Sequence, residues 1–138
     1  MRTTLLLADA VQAADNKLFI LGGGWTFTGP EVGPMGVAAV VEVDWHEANT
    51  PHTFRLELQG PDGRPTAIGP DRQPLTIAGT LEVGRPPGHP AGVPFNVPLA
   101  FNFAPLPLAP GSRYVWALFL DNGESPDATV GFNTRPQR

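Results

Sequence analysis

The chain has 138 residues, 41% of them hydrophobic, which is enough to bury one core without a covalent staple and sets the expectation of a single domain over residues 1–138. It contains no cysteine, so disulfides, thiolate nucleophiles and Cys-ligated zinc or iron–sulfur centres are excluded. A formal charge of −4 gives no basic footprint, and nucleic acid is not an expected partner.

The first predicted elements form a hairpin, Thr4 to Gln12 followed by Lys17 to Leu21, turning through Asp15 and Asn16, residues that tolerate the left-handed backbone of a tight turn. Asp9 interrupts the opening apolar run after Ala8. The run is therefore too short for a secretory leader, and Asp9 is expected to point outward, because a buried unpaired carboxylate is costly. Gly22-Gly23-Gly24 interrupts the next strand. No helix follows it, so it reads as a close backbone approach and not as a phosphate loop. The strand resumes at Trp25 to Thr28.

Gly36 to Trp45 places Val37, Ala39, Val41, Val43 and Trp45 on one face. Thr53 to Gln59 alternates with Phe54, Leu56 and Leu58 inward and Arg55, Glu57 and Gln59 outward, the pattern of an antiparallel sheet wet on one side. Leu75 to Val83 repeats it. Arg85 to Pro94 is too proline-rich to join a ladder. Phe95 to Phe103 alternates again but holds Pro98, which cannot donate a ladder hydrogen bond, so an edge position or a bulge is expected. Tyr114 to Asp121 sets Tyr114, Trp116, Leu118 and Leu120 on one side, the expected centre of the core, and Ala128 to Thr134 closes the sheet.

Sixteen Gly and seventeen Pro, about twice ordinary usage, are spread between these runs as turn signals. The expectation is an all-β, two-sheet antiparallel β-sandwich, immunoglobulin-like or jelly-roll-like, with eight or nine strands and little or no helix. A closed barrel is the alternative. Nothing approaches the run of about 18 apolar residues that a membrane helix needs, and a cytoplasmic protein without membrane partners is expected.

Catalytic constellations are sparse. Ser112 and Ser125 sit in turns outside any nucleophile elbow, and no His-x-His or His-Glu-x-x-His spacing occurs. No catalytic residue, resident metal or cofactor is assigned. The densest polar group is Asp44-Trp45-His46-Glu47 with His52 beyond it. His46, His52 and a carboxylate could converge on a divalent metal or a small polar ligand, against the alternative of a solvated loop. His89 could join them if its proline-rich loop folds over the same end. Trp25 and Trp45 lie near strand ends, where exposed rings could stack on sugars or anchor a protein partner, or else cap the core. The candidate ligand-binding residues are therefore Trp25, Trp45, His46, Glu47 and His52.

Leu108-Ala-Pro-Gly-Ser-Arg-Tyr114-Val-Trp116 resembles the tyrosine corner of immunoglobulin-like sandwiches, with Trp116 where those domains place a cysteine. Leu6 to Ala10, Lys17 to Trp25, Arg55 to Leu58, Asp62 to Pro65, Glu82 to Gly88 and the Pro110 to Asp121 segment together resemble an uncharacterised single-domain family of high-GC bacteria. Abundant Ala, Gly and Pro, with eight Arg and a single Lys, Lys17, agree with such a genome. That resemblance implies no activity and no catalytic residues. Three functions remain in order: a non-enzymatic module that binds protein, itself included; a carbohydrate or small-ligand module using the rim aromatics; and, remotely, a metal-dependent enzyme at the His46–His52 loop.

Overall fold

The computed structural model describes residues 1–137. The chain is all-β, with β1 (Arg2–Ala8), β2 (Ala10–Ala14), β3 (Lys17–Leu21), β4 (Phe27–Thr28), β5 (Met35–Val43), β6 (His52–Gln59), β7 (Ala67–Ile68), β8 (Gln73–Pro74), β9 (Thr76–Leu81), β10 (Phe95–Phe103), β11 (Arg113–Leu120) and β12 (Ala128–Thr134). A 3-10 turn at Trp45–Glu47 is the only helical element among the described residues. Twelve strands replace the eight or nine expected. The Gly- and Pro-rich stretch between β6 and β9 holds β7 and β8, two-residue ladders too short to show alternation, and the opening run is two strands divided at Asp9.

The strands form a three-stranded sheet, β1-β5-β10, a five-stranded sheet, β4-β12-β11-β6-β9, and two small hairpins, β2-β3 and β7-β8. The pairings are antiparallel except β12 with β4, which is parallel, and the sheets do not close into a barrel. One apolar cluster draws on both larger sheets. It takes Leu7, Val37, Ala39, Val41 and Val43 from the first, and Leu56, Leu58, Trp116, Leu118 and Phe132 from the second. Alternation puts these side chains on one face of each strand, and their burial is the main favourable term in folding. Trp116 is fully buried on β11, the middle strand of five, and stacks on Phe103 at 4.7 Å. β10 is an edge, one of the two positions expected from Pro98.

Two local structures follow the sequence closely. The Tyr114 hydroxyl accepts a hydrogen bond from the Ala109 amide at 2.9 Å, the contact that defines a tyrosine corner. Thr134 Oγ1 donates to the Ala109 carbonyl at 2.6 Å, so both backbone groups of Ala109 are held. The likeness to immunoglobulin-like domains is architectural only. Asp15 and Asn16 both have positive φ, 52° and 57°, which gives the β2–β3 hairpin a two-residue turn of the kind that matches strand twist.

The pairing of β1 departs from the expected hairpin. It runs antiparallel to β5 from Arg2↔Glu42 to Ala8↔Gly36, and the chain between them returns as the β2–β3 hairpin. That hairpin lies on the second face of the β1-β5-β10 sheet, where Leu6–Ala38–Ala100 and Ala8–Gly36–Asn102 form cross-strand rows of mostly small residues. Val11 inserts among Ala8 and Ala38, all three buried. Gly36 has no spare room, for a Cβ there would stand 3.1 Å from Val11 Cγ2. Asn102 fixes the position by pairing with the β2 backbone as a strand would. Its Oδ1 accepts from the Val11 amide at 3.0 Å and its Nδ2 donates to the Val11 carbonyl at 2.7 Å.

Asn102→Ala removes both bonds, and we expect a loss of about 1–2 kcal/mol in chemical denaturation. Hydrogen exchange at the Val11 amide should accelerate while the Trp116 amide stays protected.

Candidate functional site

The end of β5 carries the polar loop that the sequence singled out. Asp44 precedes the 3-10 turn, and the Glu47 side chain folds back so that its Oε1 accepts from the Asp44 amide at 3.3 Å. The ligand atoms of Asp44, His46 and Glu47 lie within 4.8 Å of one another. The Met1 ammonium nitrogen is 3.3 Å from Glu47 Oε1 and 3.7 Å from Asp44 Oδ2, so a divalent cation here would compete with that ammonium. His46 is exposed, Asp44 and Glu47 half-buried.

His52 is not part of this group of ligand atoms. It shares strand parity with Phe54, Leu56 and Leu58, turns inward and is buried. Its Nδ1 contacts Asp121 Oδ2 at 2.9 Å and its Nε2 contacts the Glu47 carbonyl at 2.8 Å. Both neighbours can only accept, so the ring satisfies both contacts only when each nitrogen carries a proton. The Glu47 carbonyl bond raises the His52 pKa above its usual 6.5, and the bond and charge of Asp121 add to that against the opposing effect of burial. Asp121 also accepts from the Thr53 amide at 3.2 Å, which ties the turn after β11 to the start of β6. His52 therefore bridges two loops, and the grouping open to a metal is Asp44, His46 and Glu47.

Trp45 sits in an aromatic stack. His89 and Phe95 are in parallel contact at 4.0 Å between ring centres, and each lies nearly parallel to Trp45, at 5.8 and 5.9 Å. The Arg85 guanidinium covers the Trp45 ring at 4.4 Å and donates to the Trp45 carbonyl at 2.6 Å. The proline-rich loop thus does fold over this end and brings His89 with it. Its own bond, His89 Nε2 to the Val93 carbonyl at 2.8 Å, holds the loop in shape. An open groove of about 560 Å³ runs beside the stack, lined by Asn16, Arg85, His89, Phe95 and Asn96 among others. A ring stacking on Trp45 from the Arg85 side would have to displace that cation.

Trp25 is elsewhere. Gly24 donates to the Leu7 carbonyl at 2.7 Å, and Leu7 pairs with Val37, six residues from Val43 along β5. At about 3.4 Å per residue the two tryptophans belong to opposite ends of the sheet, roughly 20 Å apart. Trp25 packs edge-on against Phe132 at 5.8 Å and is half-buried. The structure therefore brings Trp45, His46 and Glu47 to one end, puts His52 behind them and leaves Trp25 at the other. Sequence reasoning missed Arg85 and Phe95 as neighbours of Trp45, and Asp121 as the partner of His52.

It also missed the largest apolar exposure. Phe19, Ile20 and Leu21 on β3 are 52%, 42% and 69% exposed. Three consecutive apolar residues in a strand leave no polar face, which was the available signal.

Because the folded pKa of His52 is raised, its contribution to stability is complete below about pH 6.5 and fades as pH rises through the folded value. Thermal midpoints of the wild type should fall over that window, and His52→Gln should lack that component. An unchanged slope in the variant would show that the bridge is not protonated.

Among the described residues, no helix is long and apolar enough to cross a membrane. No curated protein and no solved structure matches the chain. A family model does, over residues 3–130, and it takes in β1 through β11, the hairpin and the Trp45 loop alike. The chain belongs to DUF6941, a family of unknown function.

Proposed function

We propose that this chain is a non-enzymatic protein-binding module, a two-sheet β-sandwich whose contact surface is the outer side of the β2–β3 hairpin. The sandwich reading is supported by the single apolar cluster shared between the two larger sheets. The observation that carries the binding reading is the pair Phe19 and Leu21, solvent-exposed on the outward face of a strand that already has a complete turn and a fixed position on the sheet beneath. Contiguous apolar surface of this kind is unfavourable in water and marks a place where another macromolecule docks. The His-bearing loop supports the non-enzymatic part. His52 has both nitrogens engaged, and His89 bonds within its own loop.

A photo-crosslinking residue at position 19, introduced into the chain in its native cells, should yield adducts containing a second polypeptide. The absence of any polypeptide adduct would overturn the reading.

A further inference from the structure

We infer that the partner is a second copy of this chain, docked edge to edge and antiparallel on β3 with the two-fold axis at Phe19. The inference rests on the protein-binding reading and names its partner. β3 pairs with β2 alone, so its other edge is open. The two-residue turn makes Ala14 and Lys17 a hydrogen-bonded pair. Gln12↔Phe19 and Ala10↔Leu21 then share the remaining ladder bonds, and Leu18 and Ile20 direct their N–H and C=O groups to the open edge. The Asn102 bonds to Val11, the residue opposite Ile20, fit this phase on the other side of the hairpin.

Open edges are usually blunted by proline, a bulge or a charge in mid-strand. β10 carries Pro98 at such a place, whereas the middle of β3 is Leu18-Phe19-Ile20. The strand is also its own complement when reversed. Lys17, the only lysine in the sequence, lies at one end. The Asp9 carboxylate lies at the other, against Gly22, and both residues are exposed. With the axis at Phe19, Leu18 pairs with the partner's Ile20 and Ile20 with the partner's Leu18, completing four backbone hydrogen bonds. Phe19 meets its own copy in a non-hydrogen-bonded pair, where side chains approach closest. Lys17 falls opposite the partner's Leu21, beside the partner's Gly22 and Asp9, and the symmetry repeats that ion pair. The outcome is a continuous four-stranded ribbon, β2-β3-β3-β2, with Phe19 and Leu21 of both copies on one side.

Sedimentation equilibrium of the full chain across a dilution series tests this. The mass should move from 14.7 kDa towards twice that value as concentration rises. Phe19→Asp sets two carboxylates face to face on the axis and should remain monomeric throughout. Its folding midpoint should be unchanged in dilute solution, because the ring lies outside the core. Lys17→Glu and Asp9→Lys should each weaken the dimer about tenfold, since each turns two attractions into repulsions. Combining them should restore it. If Phe19→Asp fails to fold, the charge reversal and its rescue decide the matter alone. A wild type that stays monomeric at millimolar concentration overturns the inference, as does a dimer indifferent to all three substitutions. If the position-19 crosslinker captures only a different polypeptide, self-pairing is overturned and the protein-binding reading stands. If it captures no polypeptide, both fall.

Discussion

Strand β5 is dry on one face along its length and on the other over its first half, Gly36 and Ala38, and the rest of the molecule is arranged around that constraint. Val37, Ala39, Val41 and Val43 are buried in the main core, while Gly36 and Ala38 are buried on the opposite side. An antiparallel sheet ordinarily leaves one side to water, so the second side needs a cover. The β2–β3 hairpin supplies it. The small residues in the Leu6–Ala38–Ala100 and Ala8–Gly36–Asn102 rows let the backbones approach, and Asn102 replaces the missing ladder with two side-chain bonds. Covering β5 with only two strands has a cost. The hairpin's own outer side has nothing above it, and Phe19 and Leu21 face solvent there. The core requirement and the proposed contact surface are thus two sides of one ribbon.

At the other extremity of β5, order comes from polar and stacking contacts. His52 joins Glu47 to Asp121, and so joins the loop after β5 to the turn after β11. Arg85, Trp45, His89 and Phe95 join the same region to the proline-rich loop. Because buried polar atoms are costly unless paired, the inward-facing His52 forces acceptors onto both its nitrogens, and that fixes two loops at once. The residues that first suggested a ligand site therefore have a structural role evident in their contacts. Only Asp44, His46 and Glu47 leave ligand atoms grouped near the surface.

Much of the fold was legible because period-2 alternation reports directly which face is buried. Val37 to Val43, Phe54 to Leu58 and Tyr114 to Leu120 were read from it, Pro98 marked an edge, and Asp15-Asn16 marked a turn. Pairing partners were harder, since alternation is silent on which strand lies beside which. β1 lies beside β5 and not its sequence neighbour, a position in which Leu5 and Leu7 join the main core. The site was less legible than the fold. Trp25 and Trp45 look alike in sequence, near strand ends beside polar residues, and only the β1–β5 register reveals that a sheet length separates them. His52 was recoverable, since its even parity with Phe54 and Leu56 already pointed it inward. Its acceptor Asp121 lies on another hairpin, beyond the reach of any local pattern.

The excursion from Asp9 to Pro34, which separates β1 from its partner β5, bears on the order of events during folding. Joining two strands across a floppy connection costs entropy that grows with the logarithm of its length, roughly 0.6 kcal/mol per doubling. β2 and β3 can close locally around Asp15 and Asn16 on the microsecond timescale typical of hairpins, before any distant contact exists. Once closed, they bring Ala10 and Leu21 together and shorten the effective gap that β1 and β5 must bridge. The ribbon that later shields the small-residue face thus also acts as an internal splint, lowering the entropic barrier to the long-range pairing on which the core is built.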